Sequence, residues 1–331
     1  MENSIRNDFN IPTEQKIKFE QYHAIVHNRL FFIIIPVDEN EHSEIIERYE
    51  MAKYFHQQGE KLVPTFYPSI HGNFIGGKEG EYFILLQLNP VRKMNGRISG
   101  SQLAQFHLLG NRLTFSPRAL NRVGFWKDIW QKRLEQMEAY CQTILRQGPS
   151  NSFEEILLEV LPYYTGLTEN AIQYYVDTTM DETPQVMDYG TVCHERFHDG
   201  TWGREWYWKN PFDWVYDHYA RDLAEWARSL FFQDSYYPQS IMRIFQEYQL
   251  IFNLSSFGWR MFYCRLIFPA HFFRTVEQYY LSNSHNRKNL EKEFFSMIHR
   301  SSEYEKLLAN IFEICGVPKR TYQIPSLHWV Q

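Results

Sequence analysis

The chain has 331 residues and a formal net charge of −5. That length suits two or three domains, or two lobes sharing one cleft, and buries a core that needs no disulfide or metal staple. The acidic balance lacks the basic footprint of a nucleic-acid partner. Aromatic residues make up 17% of the chain, which predicts a core rich in Phe and Trp with amphipathic Tyr at its edges; the competing reading is surface Tyr used for association or cross-linking. Cys141, Cys193, Cys264 and Cys315 lie far apart with no C-x-x-C pair, against a zinc ribbon or disulfide framework and for synthesis in a reducing compartment. The polar start "MENSIRNDFN" predicts no signal peptide, and the longest apolar run, Leu30 to Ile35, is far too short to span a membrane.

In chain order, "HAIVHNRLFFIIIPV" predicts two strands around a turn at His27-Asn28-Arg29. "SEIIERYEMAKYFHQQG" predicts a helix capped by Ser43, with Ile45, Ile46, Tyr49, Ala52 and Phe55 as its apolar face and Gly59 as its stop. "KLVPTFYPSI" and "GEYFILLQLN" predict two more strands separated by a turn at Gly76-Gly77. A sheet lobe over 1–89 is thus followed by a connector over 90–98 and a helical lobe over 99–331. In the last, "SGSQLAQFHLLGNRL" and "FWKDIWQKRLEQMEAYCQTILRQG" read as helices, Ser152 to Glu155 reads as a capping box, and about five further helices follow Asp217. The tyrosine pairs Tyr163-Tyr164, Tyr174-Tyr175, Tyr236-Tyr237 and Tyr279-Tyr280 are expected to be half core and half rim.

The string His194-Glu195-Arg196-Phe197-His198 matches H-E-x-x-H, the pattern in which two zinc-ligating histidines sit one helical turn apart with a Glu as general base. Its flanks oppose a helix: Gly190 precedes it, and Asp199, Gly200 and Thr201 follow. Zinc hydrolysis, with a third ligand such as Glu205 or Glu225, stays as a remote alternative.

The same segment resembles the catalytic loop H-G-D-[LF]-H-x-x-N of aminoglycoside and choline kinase-like phosphotransferases. In that alignment the loop is His194-Glu195-Arg196-Phe197-His198-Asp199-Gly200-Thr201, the second loop is Pro211-Phe212-Asp213-Trp214, and the helix-opening motif is Arg221-Asp222-Leu223-Ala224. "Leu103-Ala-Gln-Phe-His107" resembles the first large-lobe helix. The block "NPFDWVYDHYARDLAEWAR" looks most like the CotS-type spore-coat proteins, YutH branch. The resemblance covers essentially the whole chain and is sharpest over 193–228. It implies an α+β, protein-kinase-like two-lobed fold: a small N-terminal antiparallel sheet lobe and a larger, mainly helical C-terminal lobe.

Phosphoryl transfer of this type needs a phosphate cradle, a phosphate-binding lysine, a catalytic Asp and magnesium ligands. No glycine precedes Gly59, so a Gly-rich loop whose backbone approaches the phosphates is missing. The strand "RLFFIIIPV" has no lysine, and Glu47 or Glu50 on the next helix, either of which could hold the place of its carboxylate partner, read as solvated helix charges. The catalytic Asp maps onto Arg196, which stays protonated and accepts no proton. The metal-binding Asn maps onto Thr201. Asp213 alone survives at a magnesium position, with Asp217 as a second vestigial candidate; one carboxylate is a poor magnesium site. Asp222 and Arg221 read as structural, Asp222 at a helix start and Arg221 and Arg228 pairing with Asp217, Asp222 or Glu225.

The resulting expectation is a pseudokinase: a spore-coat-associated protein made in the mother-cell cytoplasm, acting by contact with other coat proteins. It is expected to use no metal, cofactor, nucleic acid or membrane. The alternative is a divergent small-molecule phosphotransferase using Mg-ATP. Oligomeric state is not legible.

Overall fold

A computed structural model of the protein describes residues 2–13, 15–78, 80–93, 96–233, 236–319, 322, 324 and 325. The chain forms two compact units, Met1–Asn121 with Gly190–Asp217, and Arg122–Tyr189 with His218–Gln331.

The first unit opens with helix α1 (Glu2–Phe9) and strand β1 (Lys16–Phe19), then β2 (Tyr22–His27), β3 (Leu30–Val37), α2 (His42–Gln57), β4 (Thr65–Tyr67), β5 (Ile75–Lys78), β6 (Glu81–Leu88), β7 (Val91–Arg92) and α3 (Gly100–Gly110). It closes with β8 (Thr191–His194), β9 (Trp206–Tyr207) and β10 (Trp214–Asp217). The main sheet is antiparallel in the order β1-β2-β3-β6-β4, with β5 also paired to β6. Phe32, Ile34, Phe83 and Leu85 face a cluster with Ile5, Phe9 and Ile11, while Ile33, Ile35, Ile84 and Leu86 are buried on the other face. Cover on both faces explains why β3 is continuously apolar rather than alternating.

Several expectations are corrected. The two strands around the turn at His27-Asn28-Arg29 form as expected, as β2 and β3, but α1 and β1 precede them, so the first hairpin turn is Glu20-Gln21. Asn28 and Arg29 both have positive φ, as a two-residue hairpin turn requires. Gly76 and Gly77 lie inside β5, not in a turn: a side chain at Gly76 would strike the ring of Phe9, and Gly77 N–H donates to Asp8 Oδ2 at 3.0 Å. α2 is not capped by Ser43; it continues from a 3-10 turn (Glu39–Glu41) capped by Asp38. On its inner face Arg48 is buried in place of Ile46, which is 46% exposed. The Arg48 guanidinium lies 5.5 Å from the Phe212 ring centre and bonds Glu44 at 2.9 Å.

The second unit is helical: α4 (Trp126–Gln147), α5 (Ser152–Asp181), α6 (Ala220–Phe231), α7 (Pro238–Gln249), α8 (Ser256–Ile267), α9 (Ala270–Leu281), α10 (Ser284–His299) and α11 (Ser301–Ile314). Six helices, not five, follow Asp217 among the described residues. α5 is capped by Asn151, whose side chain accepts from Glu154 N–H, so the cap precedes the expected Ser152 by one residue. Arg228 pairs with Glu225 at 2.9 Å and also bonds the carbonyls of Arg265 and Phe268, ending in a fully protein-lined environment. The cysteines are buried and unpaired with one another. Of the tyrosine pairs, Tyr164, Tyr174, Tyr175 and Tyr279 are buried, Tyr163, Tyr236 and Tyr280 half-buried, and Tyr237 exposed. Trp202, Trp214 and Trp226 all pack inside their units, as expected.

Candidate functional site

β8 pairs antiparallel with β10, His194 opposite Trp214, so the intervening hairpin brings 195–203 and Asp213 to one end of the first unit. Thr191 at the other end donates its hydroxyl to the carbonyl of His107 on α3, at 2.7 Å, fixing the strand pair to that helix.

The H-E-x-x-H string is no helix: His194 ends β8 and the rest is loop, so the two histidines do not share a helical face. The His194 ring is buried among Phe106, Phe197 and Trp202, and its Nε2 accepts the Trp202 indole N–H at 3.1 Å. His198 Nδ1 accepts from Gly200 N–H at 3.0 Å, and His198 N–H donates to Thr201 Oγ1 at 2.8 Å. Both ring nitrogens used here, and the hydroxyl at the expected metal position, brace the loop. The zinc reading loses its geometric basis.

Glu195 and Arg196 are exposed on the wall of a cavity of about 1000 Å3, which Asp213, Lys18, Glu20 and Arg204 also line. Asp213 ends the 3-10 turn Pro211–Asp213, which Asn210 caps by accepting from Phe212 N–H. Burial raises the pKa of the Asp213 carboxyl, opposed by His194, Asn210 and Arg48. Burial, then the charge of Asp213, also raises the phenol of Tyr22. Asp217 does not join this set: it sits at the far end of β10, opposite Thr191, and is buried away from the cavity wall. Asp222 and Arg221 belong to the second unit, both buried in the first turn of α6, where a carboxylate meets the positive end of the helix.

The places that the alignment gives to the phosphate-binding groups of the resembling family hold other side chains. The β1–β2 turn, the topological place of a Gly-rich loop, has Glu20 at φ 51°, a left-handed conformation that costs a residue bearing Cβ about 1–2 kcal/mol. Glu20 Oε1 accepts the backbone N–H groups of Arg204, Glu205 and Trp206 at 2.8, 3.0 and 3.3 Å. Glu47 is no solvated charge: its carboxylate takes the N–H groups of Arg118, Ala119 and Leu120 at 2.7, 3.0 and 2.9 Å. Glu50 lies 3.7 Å from Lys53 on the helix surface. Lys209 is a buried lysine, bonded to Glu60 and 4.2 Å from the centre of the Trp202 ring; burial lowers its pKa against the pull of Glu60. These donors and acceptors do not fit Mg-ATP as the phosphotransferase pattern would hold it: the turn offers a carboxylate where phosphate oxygens need donors, and the position that should accept a hydroxyl proton is a guanidinium.

Arg196, Thr201 and Asp213 were locatable from the motif spacing, because all three lie on one hairpin. Glu20, Lys18, Arg204 and Tyr22 were not, since no motif marks them.

Residues 2–311 match the family described as "Spore coat putative kinase YutH". Over 303 residues the chain is 36% identical to the endospore coat-associated protein YutH of Bacillus subtilis (strain 168), covering 91% of this chain and 89% of that one. Among solved structures it is similar to an aminoglycoside phosphotransferase from Alicyclobacillus acidocaldarius, with TM-score 0.63, 11% identity and 96% of each chain covered. It is also similar to a spectinomycin phosphotransferase in complex with ADP and spectinomycin, with TM-score 0.58, 13% identity, and 88% of this chain and 92% of that one covered. At such identities the structural likeness shows the fold alone, and that fold is kinase-like, with an antiparallel N-terminal sheet and a larger helical part.

Proposed function

The chain belongs to the spore-coat YutH family, and on that premise we propose that it is a coat-associated protein with a kinase fold that has lost phosphoryl transfer. It works by contact with other coat proteins, is made in the mother-cell cytoplasm and deposited on the forming spore, and uses no Mg-ATP. That its Bacillus subtilis relative is an endospore coat-associated protein supports the location. Among the described residues no helix is long and apolar enough to cross a membrane.

The observation that carries the reading is the pair of replacements facing one cavity: Arg196 where the phosphotransferase loop has its catalytic Asp, and Glu20 at the turn that should cradle phosphate. A guanidinium neither accepts the hydroxyl proton nor orients a nucleophile as a carboxylate does. A carboxylate in the turn repels phosphate oxygens.

The test is thermal unfolding with and without ATP and magnesium. A ligand at 100 times its Kd adds about 2.7 kcal/mol to the folded state, so binding is readily seen; the expected result is no shift. A rise of several degrees that disappears in Asp213→Ala overturns the reading. It would favour a divergent small-molecule phosphotransferase, the alternative supported by Asp213 facing the cavity.

A further inference from the structure

At the tip of the β1–β2 turn a single carboxylate oxygen collects three successive backbone N–H groups from a distant part of the chain, those of Arg204, Glu205 and Trp206. Successive N–H groups turned toward one point form an anion-binding concavity. Contacts that do not involve Glu20 set its shape. Gly203 has φ 83°, and a side chain there would collide with the carbonyl of Trp206. Lys93 Nζ donates to the Gly203 carbonyl at 3.0 Å, and Lys93 N–H donates to the Glu205 carbonyl at 2.8 Å. Glu20 itself has φ 51°, where a residue with a side chain is uncommon and glycine is at ease. The concavity is built into the hairpin, and Glu20 is its internal occupant.

We propose that the 204–206 nest is an anion site for a phosphoryl group, with Glu20 as its plug. It takes that ligand when the β1–β2 turn lifts. The proposal rests on the reading that the native cleft does not hold Mg-ATP, and it differs from the phosphotransferase cradle, whose donors belong to the turn itself. The cavity beside the nest is lined by Lys18, Arg196 and Arg204 as well as by Glu195, Glu205 and Asp213, and Glu205 lies 3.7 Å from Arg92. A phosphoryl group can give one oxygen to the nest and others to a guanidinium fork, which matches phosphate geometry; a carboxylate in the nest has a single oxygen to spare.

Isothermal titration with inorganic pyrophosphate, without magnesium, tests this on the full chain. Glu20→Gly removes the plug and suits the backbone, and is expected to bind pyrophosphate at least about tenfold more tightly than the native protein, the difference made by about one charge-assisted hydrogen bond. Glu20→Gln, which keeps the side chain's shape without its charge, is expected to show a smaller gain, and acetate, whose carboxylate also fits the nest but reaches no guanidinium fork, a smaller gain than pyrophosphate. Circular dichroism establishes that the variants are folded; should Glu20→Gly fail to fold, Glu20→Gln decides. The proposal is overturned if the folded variants bind pyrophosphate no better than the native protein, or if acetate gains equally. Stabilisation of the native protein by ATP and magnesium is a separate outcome and would overturn the reading of the cleft instead.

Discussion

Glu47 gives the sharpest separation between a catalytic carboxylate and a structural one. In the resembling phosphotransferases the carboxylate at this place on α2 would partner a lysine on β3, but β3 has none and Glu47 instead holds three consecutive N–H groups at 2.7–3.0 Å. Hydrogen bonds to a charged group are worth about 1.5–3 kcal/mol each, and bonds sharing one carboxylate do not add fully. The three donors belong to a segment ending in Leu120, which is fully buried, so Glu47→Ala exposes part of this set to an apolar setting without a replacement. The expected loss is about 3 kcal/mol, and about 1–2 kcal/mol for Glu47→Gln, whose amide oxygen keeps part of the set. For a unit of this size the larger loss lowers Tm by about 6–12 °C. Differential scanning calorimetry reads it, with the near-ultraviolet circular dichroism of the native fold as a control. A change in Tm of less than about 1 °C for Glu47→Ala would refute the structural role, since three charge-assisted bonds cannot be lost at no cost.

A pH experiment addresses the second unit. Burial alone would raise the pKa of the Glu225 carboxyl, but Arg228 and Arg265, at 2.9 and 3.4 Å, hold it down to about 2. A depressed carboxylate contributes stability that is complete above its ordinary value of 4.5 and is lost as pH falls toward 2. Urea midpoints of the native protein should therefore drop between pH 5 and pH 2.5, and Glu225→Gln should flatten that slope while costing about 3–5 kcal/mol at neutral pH by leaving buried guanidinium groups short of charge; an unchanged slope in the variant refutes the pairing. Arg196→Asp alone is expected to leave phosphoryl transfer undetectable in a coupled ADP assay, because the β1–β2 turn still lacks glycine and β3 still lacks a lysine; activity on that single change would show that the rest of the site is competent.

The helices that were legible in the sequence are those whose caps and periodicity agree. Ser99 and Gln102 form the reciprocal capping box that starts α3, and Gly148 ends α4. α1 and β1 were missed because each is too short to show a period: α1 offers Ile5 and Phe9, one turn apart, as its inward face. Such a segment is helical through its packing, with Phe9 against Phe83 and Tyr67, rather than through propensity. Ile46 was expected on the inner face that Arg48 occupies, for a related reason. Charge argues for solvent, but a guanidinium stacked on Phe212 and paired with Glu44 is accommodated on the buried face. In the site, Arg196 and Asp213 were found because motif spacing is local. Glu20 was invisible because its first N–H partner is 184 residues away.

The polar groups of the first unit bear on how the kinase-like fold accommodates these side chains. A site kept for a nucleotide holds donors, a lysine and carboxylates ready for phosphate and metal, and desolvated groups without partners cost about 1–3 kcal/mol each. Here the corresponding needs are met within the chain: Glu20 takes the 204–206 donors, Glu47 takes those of 118–120, Thr201 and His198 bond each other's loop, and Lys209 is neutralised by Glu60. The first unit thus forms these hydrogen bonds within the chain, and the groups at these positions are paired without a ligand. Under the proposed function that is the physical requirement for a scaffold: the fold must be stable and single in shape while its cleft is unused. Under the same proposal, each catalytic group introduced by substitution would first have to displace an internal bond that stabilises the unit.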